Sequence, residues 1–222
     1  MQNKIILAIY GAGGLGKEVY EIAKHINNET KKFQDIIFID DINPARTLRN
    51  REVISFFDAI NKYSNEKLKF VIAIGEPALR KKLYDKILDS NYELTTLIHP
   101  SIYIPESTKI GAGVVITEKA FISCDVSIND NVYIHPFALI GHDITIGKHS
   151  VVSASVPIGG AVSIGDCSYI GMASTIKEKL TIGSNAIIGM GSVVYNDIPD
   201  GVIALGNPAR IMRKNEDQKI FK

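Results

Sequence analysis

The side chains best suited to moving a proton near neutral pH in this 222-residue sequence are five histidines, at positions 25, 99, 135, 142 and 149. Only His142 is followed directly by a carboxylate, Asp143. Such a neighbour can fix the ring tautomer and favour the imidazolium that forms when the ring takes a proton. His142 with Asp143 is therefore the candidate general base, with an ordinary surface histidine as the alternative. His25 falls on a helical segment and His99 in a connector, where both are expected to be solvated or satisfied locally. A second chemistry is written in Gly11-Ala12-Gly13-Gly14-Leu15-Gly16, a glycine turn whose backbone can approach a phosphate, and in Asp40-Asp41, placed to accept hydrogen bonds from a ribose or a base.

The element that must position His142 is a repeat. From Ile98 to Val194 an Ile or Val recurs at every sixth residue without a slip. Gly often follows it, and a small residue often stands two before it. A period of six fits neither a helix nor a two-faced strand. It suits a short strand plus a corner, three times around a triangular prism, with the aliphatic inward and Gly or Asn relaxing the corner. About five coils spaced ~4.8 Å apart give a prism roughly 25 Å tall. On this ruler His142, two residues after Ile140, stands at an outward corner. His135, His142 and His149, spaced by seven, take different positions in their units, so they form no ligand column, and no metal site is expected. Met172 and Met190 stack one coil apart, each after a glycine (Gly171, Gly189), with Ala154 one coil below. Glycine there would admit an extended ligand arm and methionine would offer it an apolar edge; packing against a neighbouring subunit is the alternative.

The glycine turn is positioned by a different architecture. An apolar run over residues 4–10 enters the turn, and residues 17–26 then show helical spacing at Val19, Ile22, Ala23 and Ile26. Two more apolar runs, 36–40 and 70–75, follow, and a helical segment begins at Pro77. Alternation of this kind predicts a parallel sheet with helices on its faces. Only one mononucleotide half precedes the repeat, so a nucleoside diphosphate group is expected in the turn, not a whole dinucleotide. The reading is an α/β Rossmann-like half domain over 1–97, a hexapeptide-repeat parallel β-helix over 98–200, and a closing loop and tail over 201–222.

Composition narrows the class. A formal charge of +1 gives no nucleic-acid footprint. No apolar run approaches 18 residues, and the N-terminal run is too short for a secretory signal, so no membrane insertion and a cytoplasmic location are expected. Cys124 and Cys167 lie in different coils without metal-ligand spacing and read as reduced thiols.

The GAGGLG turn, the Asp-Asp pair, IGEPALRKKL (74–83), LIHPSIYI (97–104), LIGHDITIG (139–147) and GNPAR (206–210) together resemble the NeuD/PglD-type family of sugar O- and N-acetyltransferases. The resemblance spans essentially the whole chain and implies left-handed coiling. It also implies His142 as general base with Asp143 beside it, and acetyl-CoA as co-substrate between the subunits of a homotrimer. On that resemblance Gly13, Gly14, Leu15, Asp40, Asp41 and Gly75 contact a nucleotide-sugar, and His135 faces the acceptor. Val151, Gly171, Met172, Gly189, Met190, Asn207 and Pro208 lie along the coenzyme. Many relatives carry His where Leu15 stands and Asn where His135 stands.

The function this implies is N-acetylation of a nucleotide-activated amino sugar, such as a UDP- or dTDP-4-amino-4,6-dideoxyhexose, for cell-surface glycan synthesis. O-acetylation of sialic acid or a related sugar is the second reading, and a non-catalytic trimeric scaffold or nucleotide sensor the third. The glycine turn favours the first, because a free sugar would leave the N-terminal half unused.

Overall fold

The structure, a computed structural model, describes residues 5–220. The first apolar run forms β1 (Ile5–Tyr10); Lys4 lies outside the described residues. It leads through the glycines into α1 (Gly14–Thr30), whose buried stripe of Val19, Ile22, Ala23 and Ile26 has helical spacing. β2 (Phe33–Ile39) is followed by a hairpin of β3 (Arg46–Leu48) and β4 (Arg51–Ile54). Next come α2 (Phe56–Lys62), β5 (Leu68–Ile72), α3 (Pro77–Asp89) and β6 (Glu93–Leu94). The sheet order is β3-β4-β2-β1-β5-β6, with every neighbouring pair parallel except β3 with β4.

The hexapeptide repeat folds as a left-handed parallel β-helix. Each unit contributes a two-residue strand ending in its aliphatic, and equivalent strands pair at an offset of eighteen, as in Ile122 with Ile140 and Ile140 with Ile158. The inward Ile and Val residues form one continuous buried column from Ile116 to Ile198, and each fully buried side chain stabilises it by roughly 1.5–3 kcal/mol. Where the small inward residue is serine, its hydroxyl is satisfied by the next coil. Ser150 Oγ donates to the Gly165 carbonyl at 2.8 Å, and Ser168 Oγ donates to that of Gly183 at 2.6 Å.

The repeat glycines do not act as expected. The left-handed backbone falls three residues after each aliphatic, at Lys119, Asp125, Asn131, Phe137, Asp143 and onward, almost all of them non-glycine. The glycine directly after the aliphatic is needed for closeness between coils instead. A Cβ on Gly141 would lie 2.8 Å from the Ile158 carbonyl oxygen, and one on Gly159 would lie 2.6 Å from the Glu178 nitrogen. Corner geometry is carried by the αL position, coil spacing by the glycine.

The three faces of the prism meet different surroundings. One carries Leu97, Val115, Tyr133 and Val151 outward, all fully buried against Val19, Ile22, Ala23 and Ile26 of α1. A second carries Lys109, Ser127, Thr145, Ser163 and Thr181 outward, a polar surface. The third presents Phe121, Leu139 and Pro157 to solvent, with Phe137 at its edge. At the chain end, strand Val202–Leu205 adds to the face that meets α1, and Arg210–Lys214 pairs antiparallel with it.

α3 locks the two parts together. Arg80 is fully buried, donating to the carbonyls of Ile72 and Ile74 and to the backbone and side-chain oxygens of Asn131 on the prism. Asn131 Nδ2 in turn lies 3.1 Å from His149 Nδ1, and Tyr84 meets the His149 ring edge-on.

Candidate active site

α1 begins at Gly14 with no side-chain cap, and its first helical hydrogen bond runs from Lys17 N to the Gly13 carbonyl at 3.2 Å. The amides before it are left open at the positive end of the helix dipole, an arrangement suited to an anion. Gly13 and Gly14 stand clear of other atoms, whereas a Cβ on Gly16 would run into the Gly11 carbonyl, so Gly16 serves helix–strand packing. The acidic doublet lies at the same sheet edge, in an organised network. Asp40 accepts from the Ile42 and Asn43 amides and pairs with Arg46 at 2.9 Å. Asp41 is bonded by Tyr10, by Lys86 at 2.7 Å and by the Phe56 amide. Burial opposes ionisation of Asp41, but the hydrogen bonds from Lys86, Tyr10 and that amide outweigh it and hold its pKa below the usual carboxylate value.

From this turn an open groove of about 1200 Å³ runs between α1 and one corner of the prism. It brings together Gly14, Leu15, Gly75, His135 and Met172 among the residues singled out from sequence. Burial, reinforced by the Arg80 cation, pushes the His135 pKa down to about 4, so its imidazole is neutral at pH 7. Its ring centre lies 4.4 Å from that of Tyr133, tilted by 39°, and the buried Tyr133 hydroxyl has no partner among the described residues.

Other expected coenzyme residues lie around this groove or away from it. Val151 is fully buried between the prism and α1, so its side chain is closed to a ligand. Gly171 and Gly189 are close-approach positions, toward Met190 and Leu205 respectively, and the open edge of that corner is formed by Met172 and Met190, 55% and 80% exposed. Asn207 and Pro208 stand exposed in the loop between the last two strands.

His142 and Asp143 occupy the next corner, separated from the groove by the apolar face that bears Phe121 and Leu139. His142 Nδ1 lies 2.7 Å from Asp143 Oδ2. An ionised carboxylate only accepts, so Nδ1 carries the proton and Nε2 is left as the basic nitrogen. Asp143 itself holds the αL corner, with φ +57. The ring lies over Gly160, where a Cβ would come within 2.5 Å of both Nε2 and Cε1. The Gly160 N–H donates to no other group among the described residues.

Sequence reading missed several neighbours of these sites. His25 and His99 both line the groove, their rings 5.3 Å apart. The spacing of Leu15, Glu18, Ile22 and His25 is one helical stripe and could have revealed the first of them. Gly160 could have been found by adding eighteen to His142. Arg46 and Arg80 carry no periodic signal; only the tertiary fold brings them to Asp40 and Asn131.

Known proteins show the same architecture. Residues 6–87 match the PglD N-terminal domain family, and residues 125–160 match the bacterial transferase hexapeptide family (six repeats). A GDP-perosamine N-acetyltransferase of Escherichia coli is 31% identical over 124 residues, 55% of this chain and 56% of that protein, so the match spans about half the length of that relative. The acetyltransferase domain of PglB from Neisseria gonorrhoeae, solved in complex with acetyl coenzyme A, is 30% identical. That match has a TM-score of 0.86 and covers 94% of this chain and 100% of that one. PerB from Caulobacter crescentus, solved with CoA and GDP-perosamine, is 29% identical with a TM-score of 0.83, covering 93% of this chain and 96% of that one. The likeness thus runs over nearly the whole length of these structures, and the chain belongs to the PglD-type family of hexapeptide-repeat acetyltransferases.

Proposed function

We propose that this chain transfers an acetyl group from acetyl-CoA to the amino group of a nucleotide-activated amino sugar, of the 4-amino-4,6-dideoxyhexose class. The observation that carries the reading is the His142–Asp143 pair seated over a Gly160 amide that has no partner among the described residues. The amine nitrogen attacks the thioester carbonyl while His142 Nε2 takes its proton, with Asp143 stabilising the imidazolium. Negative charge gathers on the carbonyl oxygen, where the Gly160 N–H can donate to it. The C–S bond then breaks, and the imidazolium returns its proton to the departing thiolate of CoA.

The glycine turn takes the diphosphate, and neutral His135 meets the sugar. Met172, Met190 and the loop at Asn207 and Pro208 follow the coenzyme. Because a face of the prism separates His142 from the groove of its own chain, the site is completed by a neighbour. We assign the apolar face of Phe121, Leu139 and Pro157 to contacts in a homotrimer, which sets His142 of one subunit against the groove of the next.

Purified protein with acetyl-CoA, tested for thiol release against UDP-, dTDP- and GDP-linked amino sugars and against free sialic acid, decides the acceptor class. Turnover with a nucleotide-linked amine and none with sialic acid is expected; the reverse pattern would sink this reading in favour of O-acetylation.

A further inference from the structure

The acidic doublet that marks the nucleotide end of the site is already engaged in the structure. Asp40 Oδ1 accepts two backbone amides, at 3.0 and 3.1 Å, and Oδ2 accepts Arg46 Nη2. Asp41 is taken by Lys86, Tyr10 and the Phe56 amide. The Asp40 carboxylate is only 19% exposed, whereas the Arg46 side chain is 30% exposed. Of the five guanidinium N–H groups, Nε donates to the Asn43 carbonyl and Nη2 to Asp40 and, at 3.5 Å, to the Ala12 carbonyl. The two N–H groups on Nη1 have no partner among the described residues. Ala12 immediately precedes Gly13, so a cation with unused donors is held one peptide away from the open amides of α1.

We propose that Arg46 is the side chain that grips the diphosphate of the nucleotide, and that Asp40 is a positioning residue that aims it. This rests on the nucleotide-sugar reading and refines it: the contact comes from the cation that the carboxylate holds, and Asp40 gives no hydrogen bond of its own to the ligand. A diphosphate lying on the α1 amides carries charge that backbone dipoles only partly offset, and a guanidinium fork is the side chain best matched to phosphate oxygens. Lys86, the other cation beside the doublet, is committed to Asp41 and Tyr10. β3 carries Arg46 to this edge because it pairs with Val53, which in turn pairs with Phe38 of β2, two residues before Asp40.

The test is calorimetric titration of the full chain with GDP, UDP and dTDP, with guanosine, uridine and thymidine alongside, for wild type, Arg46→Ala, Arg46→Lys and Asp40→Asn. A lost charge-assisted hydrogen bond corresponds to roughly a 10- to 100-fold weaker complex. Arg46→Ala is expected to show a loss of that size for whichever diphosphate the wild type binds, with nucleoside and coenzyme A affinities unchanged. Arg46→Lys should recover part of it. Asp40→Asn keeps an oxygen for the Ile42 and Asn43 amides but sets an NH2 donor against Arg46 Nη2, so the guanidinium is no longer aimed and diphosphate affinity should fall, by less than in Arg46→Ala. Unchanged diphosphate affinity in Arg46→Ala overturns the assignment, and so does an equal loss for diphosphates and nucleosides. A loss in Asp40→Asn with Arg46→Ala unaffected returns the contact to the carboxylate. A wild type that binds none of the three diphosphates removes the nucleotide-sugar reading itself, and this proposal with it.

Discussion

The imidazole of His142 lies in the space that a side chain on Gly160, one coil further along the prism, would occupy, within 2.5 Å of Nε2. The obstructed atoms belong to a ring that can swing away, so the fold should accept alanine there while the ring cannot keep its place. Gly160→Ala should therefore leave Tm within a few degrees of wild type and lower kcat by about 10². In a His142→Ala background the same change should add little, because its effect passes through the ring. Steady-state thiol release for the two single variants and the double variant checks this, and full additivity would mean that the glycine acts independently of the imidazole.

Removing the proposed base itself should have the larger effect. His142→Ala should lower kcat by about 10² to 10⁴ with KM for acetyl-CoA little changed, the range for a positioned proton acceptor. Asp143→Asn keeps the ring's neighbour but not its charge, and should fall between that variant and wild type. Wild-type turnover in His142→Ala would remove it from the mechanism.

The separation of His142 from its own groove predicts complementation between subunits. His142→Ala and a groove variant such as Leu15→Glu should each be inactive. Co-assembled in equal amounts, they should recover roughly a quarter of wild-type activity, the fraction of sites that pair an intact groove with an intact neighbouring histidine. Leu139→Glu places a charge on the apolar face and should lower the oligomeric state seen by light scattering. Absence of recovery in mixed assemblies would confine the site to one chain.

Two histidines, His149 buried and His135 half-buried in the groove wall, should set the acid limit of stability. Burial and then Arg80 lower both His135 and His149 to about 4, against about 6.5 in the unfolded chain. Asp85 and Asp166 pull His149 upward, and Lys81 adds to the lowering. The unfolded chain thus binds more protons between these values, so the stabilisation is complete above about pH 6.5 and is lost as pH falls toward 4. Tm measured across that window should drop, and His149→Asn and His135→Asn should each flatten the slope. A Tm independent of pH between 6.5 and 4 would show that these rings are not held neutral.

Most of the fold could be read from the chain because its signals are local. An aliphatic every sixth residue specifies a three-sided coil wherever it recurs, and a strand, glycines and a helical stripe specify the strand-to-helix turn. The hairpin of β3 and β4 was missed because three- and four-residue strands without alternation leave no period to detect. The glycine after each aliphatic was misread as a corner residue. Its true constraint is an atom eighteen or more residues away, such as the Ile158 carbonyl beside Gly141.

Sequence by itself determined the prism, the glycine turn between strand and helix and the corner on which His142 and Asp143 sit, since each follows from spacing along one stretch of chain. Only the tertiary structure decided which face of the prism α1 would cover. That choice closed Val151 to ligands, opened the groove at His135 and left His142 around the next corner. It also decided which charges meet, setting Arg46 on Asp40 and Lys86 on Asp41, because ion pairs depend on a few ångströms of separation that no pattern of residue types records.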